Sequence, residues 1–159
     1  SFHGEKKRRK AFIDHEKCVG CGRCVGVCRD MAAIGGPGSS FDALNKKISE
    51  YALAVVQNRP HFHISFVMDL SPYCDCHPEN DAPLIADVGI FAGFDPVALD
   101  QACADACNKM ERLSGTCLDG RPHTGDLFHD THPTTDWRIG VQHAEKIGLG
   151  TTAYELIEV

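Results

Sequence analysis

Cys18, Cys21, Cys24 and Cys28 form a C-x2-C-x2-C-x3-C run, the densest set of metal-ligating side chains in this 159-residue chain. A cubane [4Fe–4S] cluster takes one thiolate per iron, and cysteines three residues apart can wrap a loop around three of its corners. Gly20, Gly22 and Gly26 interleave with them and let backbone amides approach the cluster sulfurs, where hydrogen bonds tune its potential. Zinc is the competing ligand, since it also accepts four thiolates, but zinc ribbons split their cysteines into two pairs across a longer loop. Disulfides fit less well, because four such closely spaced cysteines cannot all pair without strain.

The run raises a question of coordination. In two-cluster ferredoxins the fourth cysteine binds the other cluster, so Cys18, Cys21 and Cys24 would share one cluster and Cys28 would serve a second. The chain has no second run, and its other cysteines are Cys74, Cys76, Cys103, Cys107 and Cys117. The missing ligands come either from these or from a segment upstream of Ser1. The expectation is an upstream half, because the chain opens without Met seventeen residues before the first ligand.

Further candidates lie downstream. Ser71-Pro72-Tyr73-Cys74-Asp75-Cys76-His77-Pro78 reads as a loop stiffened by two prolines, in which Cys74, Cys76 and His77 are candidate metal ligands and a rigid turn with packed thiols is the alternative. Between Arg121 and Thr135, His123, His129 and His132 accompany Asp126 and Asp130, a set that could hold a divalent metal, although the spacing matches no helix-borne ligand motif. Cys103 and Cys107 share a helix face but sit among alanines, as small core residues do.

The elements that position these residues follow from periodicity. Phe12-Ile13-Asp14 reads as a short strand entering the cysteine loop, and 1–36 as a small N-terminal ferredoxin-like iron–sulfur half module. Gly35-Gly36-Pro37-Gly38-Ser39-Ser40 marks the boundary. The rest, 37–159, reads as an α/β (or α+β) domain, a mixed sheet with flanking helices, completed by an upstream segment. Within it, residues 42–58 form an amphipathic helix capped by Ser40 or Asp42 and stopped by Pro60, with Leu44, Ile48, Tyr51, Ala52, Val55 and Val56 as its recurring apolar positions. Buried strands are expected at 61–70 and 84–91. Asp95-Pro96 opens a helix that should run to Gly115, Asp136 opens another that ends at Gly148, and 154–159 alternates as an edge strand does. The loops after the two central strands, with the His123–His132 stretch, are candidates for a shared substrate cleft.

With 16 Lys and Arg against 22 Asp and Glu the formal charge is −6, which argues against a nucleic-acid partner. The basic run Lys6–Lys10 reads as a solvated end. No apolar stretch reaches membrane-spanning length, so no membrane partner is expected. Nine cysteines, odd in number and partly scattered through helical sequence, suit a reducing cytoplasm better than a disulfide scaffold.

Beyond these local readings, Cys18 to Cys28, Ser71 to Cys76, Asp87 to Ala92, Asp95 to Asp100 and Ala144 to Gly150 together resemble the domain-of-unknown-function 362 family. The resemblance implies an iron–sulfur protein in which a ferredoxin-type insert interrupts a larger α/β domain, this chain holding the second cysteine run and the C-terminal half. It implies no particular reaction. Arg29 departs from the proline that usually follows the fourth cysteine. The expectation is therefore electron transfer or another redox role on a [4Fe–4S] cluster with a redox partner protein. A redox or metal-dependent enzyme and a structural zinc protein are the alternatives.

Overall fold

A computed structural model describes residues 2–3, 10–11, 14, 16–17, 41–74 and 81–159. The chain divides into two compact units, Ser1–Ser40 and Phe41–Val159. In the first, β1 (Phe2–His3) pairs antiparallel with β2 (Lys10–Ala11), with Phe2 opposite Ala11. Of the strand expected at 12–14, Asp14 is not in a strand, and residues 12 and 13 lie outside the described residues.

The second unit combines helices with a two-stranded sheet, in keeping with the α/β or α+β class. Its elements are α1 (Phe41–Val56), β3 (His63–Val67), β4 (Gly89–Gly93), α2 (Pro96–Lys109), α3 (Leu127–Thr131) and α4 (Arg138–Lys146). β3 and β4 run antiparallel, with His63 opposite Gly93 and Val67 opposite Gly89. α2 packs on one face of this pair and also meets α4, which packs against α1. Val67, Leu84, Ile85, Cys107, Leu118 and Leu127 form the core beneath them.

Local chemistry accounts for the helix ends. Asp95 Oδ1 accepts from the amides of Val97 and Ala98, and Pro96 occupies the first helical position of α2, where its missing N–H is harmless. α2 stops at Lys109 rather than near Gly115. Tertiary pairing takes over there: Arg112 forms a β-bridge with Ile85, and the Leu113 amide donates to the Leu84 carbonyl. Asn58, with φ 60°, turns the chain after α1 two residues before Pro60. At the end of α4, Gly148 has φ 78°, its amide donates to Glu145 O, and the Leu149 amide donates to Ala144 O. That pair of bonds is a Schellman motif.

Three expectations change. The apolar stripe of α1 is exposed at Leu44, Ile48, Tyr51 and Val55, while buried Ser49 and half-buried Asn45 face α4. Asn45 Nδ2 donates to Asp136 O and the Ser49 hydroxyl to Gly140 O; a side chain at Gly140 would meet Asn45 O at 3.4 Å. Small residues and polar bonds thus help to join these two helices, while Ala52 and Val56 of the expected stripe are half-buried. The strands are likewise covered on one side only: Ile64 and Phe66 on β3 and Ile90 on β4 stay exposed, opposite the face that packs on α2. The tail 154–159 forms no strand; the Tyr154 hydroxyl ties it to Asp105, and Leu156 and Ile157 remain exposed.

Candidate functional site

Cys18, Cys21, Cys24, Cys28, Cys76 and His77 lie outside the described residues. Of the downstream candidate ligands, Cys74 is described. It is exposed, so core packing does not account for it. The root of its loop is fixed: Pro72 is buried, its carbonyl meets His132 Nε2, and the Tyr73 ring packs edge-on to His132 with centroids 5.6 Å apart. The Ser71 hydroxyl closes the turn onto Tyr73 O at 3.0 Å. Two stretches that the sequence singled out separately, 71–78 and 121–135, therefore meet at His132.

The aspartates of the second stretch are committed to structure. Asp126 caps α3 by accepting from the His129 amide, and it also accepts from Trp137 Nε1 and pairs with Arg138. Burial pushes its carboxyl up, but the His129 amide, Arg138 and Trp137 outweigh that and hold it below its ordinary value. Asp130 accepts from the Thr124 hydroxyl at 2.7 Å and the Thr124 amide at 3.0 Å and pairs with Arg112. Its pKa is raised by burial and lowered more by Thr124 and Arg112, so the net shift is downward. Arg121 donates to the carbonyls of Asp130 and Thr131 at the end of α3. His123 and His129 remain at the surface. Among the described residues, no group of three or more His, Cys, Asp or Glu converges as metal ligands would. The short helix α3 was not read from the sequence; Asp126 before Leu127 and Phe128 was its signal.

Cys107 is a core residue, and burial pushes its thiol up to about 11. Cys103 is half-buried; burial raises its thiol despite a hydrogen bond with Ser65. Both stay protonated at neutral pH and serve poorly as nucleophiles.

The described parts of the loops after the two strands leave opposite ends of the sheet. Because β3 and β4 are antiparallel, residues 68–74 leave beyond Val67, whereas Phe94 and Asp95 follow Gly93 opposite His63, at the other end. The rule that gathers sites at strand carboxyl ends presumes parallel strands.

A family model described as a domain of unknown function (DUF362) matches residues 2–105. No curated protein and no solved structure matches the chain.

Proposed function

The chain belongs to the DUF362 family, and from that premise we propose that it is an iron–sulfur protein with an electron-transfer or other redox role. The observation that carries the reading is the run Cys18, Cys21, Cys24, Cys28 within the matched residues. Its donor set fits the group: soft thiolates at ferredoxin spacing, with glycines between them. When bound, the cluster supplies one-electron chemistry. Cys18, Cys21 and Cys24 would ligate it, and Cys28 would supply a fourth thiolate to it or to a second cluster. Backbone amides around Gly20 and Gly22 would be the donors available to its sulfurs.

Cys74, with Cys76 and His77, is a secondary ligand candidate, supported by the exposure of Cys74 and the anchoring of its loop by His132. The formal charge of −6 favours a redox partner that presents a basic face. Nine cysteines suit a reducing, cytoplasmic setting. Among the described residues, no helix is long and apolar enough to cross a membrane.

The test is metal analysis of anaerobically purified protein beside Cys21→Ser and Cys74→Ser. Wild type should hold iron and acid-labile sulfide and show a visible charge-transfer band that dithionite bleaches. Cys21→Ser should lose both, since a hydroxyl does not replace a thiolate at a soft site. Loss in Cys74→Ser as well would bring the second loop into the site. A colourless protein with stoichiometric zinc would replace the reading with a structural zinc centre.

A further inference from the structure

A cavity of about 520 Å³ lies between α1, β3, α2 and α4. Its walls are largely apolar, with Ile48, Val67, Phe128, Trp137 and Val141 among them. That volume and lining are those of a small-molecule site.

The polar side chains on its wall are committed elsewhere, with one exception. Asn45 donates to Asp136 O, Ser49 to Gly140 O and Trp137 Nε1 to Asp126, while Ser65 and Cys103 bond each other. The carboxylate of Asp100, in the second turn of α2, makes no hydrogen bond or ion pair among the described residues. It is accessible to solvent, yet the surrounding protein strips enough water from its carboxyl to raise its pKa, as happens to a group on a concave wall. His63 on β3 is its electrostatic neighbour. A carboxylate without a protein partner among the described residues, set at apolar and aromatic walls, is complementary to a cation that carries its own apolar body.

We propose that this cavity binds a small organic ammonium ion, its apolar body against Phe128 and Val141 and its charged head on Asp100. The site does not rest on the cysteine run, so success or failure of the iron–sulfur reading leaves it untouched.

Calorimetric titration of the full chain with n-hexylammonium, n-hexanol and n-hexanoate tests it. Hexylammonium should bind saturably, at least about tenfold tighter than hexanol, because a charge-assisted hydrogen bond is added to the same apolar contact. Hexanoate should bind more weakly than hexanol. Asp100→Asn should erase the preference for the amine, and Asp100→Glu should keep it. Asp105→Asn, on the same helix but outside the cavity lining, should also keep it. In the wild-type chain the Asp100 carboxyl ¹³C resonance should move on adding hexylammonium, a readout that needs no variant to fold. Absence of saturable binding, equal affinity for amine and alcohol, a preference that survives Asp100→Asn, or an unmoved Asp100 resonance would each overturn the proposal.

Discussion

Replacing Asp130 with alanine should cost the α/β unit about 3 kcal/mol, and the reason lies in what the substitution leaves behind. The Asp130 side chain is 2% exposed and pairs with Arg112, whose side chain is 13% exposed. Truncation strands the guanidinium and removes the acceptor of the Thr124 amide and hydroxyl. Breaking a buried pair from one side costs about 3–5 kcal/mol. The lower end applies, because Arg112 still donates to Pro122 O at 2.9 Å. For a unit of this size that lowers Tm by about 10 °C. Circular dichroism of wild type, Asp130→Ala and the double variant Asp130→Ala/Arg112→Met measures it, and the double variant should lose less than the single one. The pH dependence has a definite sign: the folded pKa of Asp130 is depressed, so its contribution is present above the unfolded value near about 4 and is lost as pH falls through the folded value. The gap between wild type and Asp130→Ala should therefore close in acid. A loss under about 1 kcal/mol at pH 7, or a gap that persists at full size in acid, would refute the reasoning.

Two further substitutions probe how α2 is held. Asp95 Oδ1 caps α2 while its Oδ2 accepts from the Thr151 amide at 2.8 Å, so Asp95→Ala should cost about 1–2 kcal/mol in urea unfolding. A Cβ at Gly150 would fall 2.0 Å from Asp95 Oδ1, so Gly150→Ala should displace the cap and add little once Asp95 is already alanine; full additivity would contradict the linkage. Because burial holds the Cys107 thiol near 11, iodoacetamide at pH 8 should label it in the native protein far more slowly than in urea, as followed by peptide mass spectrometry. Equal rates would show that the core around it opens freely.

The sequence was most legible where a single residue does a local job. Asp95 with Pro96 and Gly148 mark helix ends by their own chemistry, and both are found at those ends. The extent of α1 was readable from periodicity, but its packed face was not. Leu44, Ile48, Tyr51 and Val55 form the stronger hydrophobic stripe, yet Asn45 and Ser49 meet α4 through backbone carbonyls supplied by residues 136 and 140. Such bonds depend on a distant partner that no local pattern encodes. Both central strands were located, but their antiparallel pairing was not, and with it went the basis for a shared cleft. The histidines and aspartates of 121–135 looked like ligands because the same side chains that bind metals also cap helices and pair with arginine. Only the positions of Arg112, Arg121 and Arg138 distinguish the two uses. Asp100 gave no signal at all in sequence, since an acidic residue in a helix is ordinary until its neighbours are known.

Mössbauer spectroscopy of the full chain, purified anaerobically and reconstituted with ⁵⁷Fe and sulfide, tests the iron–sulfur claim most directly. The account predicts the signature of a thiolate-bound cubane, absent from Cys21→Ser. Adventitious high-spin ferrous iron alone, unchanged by Cys21→Ser and accompanied by tightly held zinc, would contradict it.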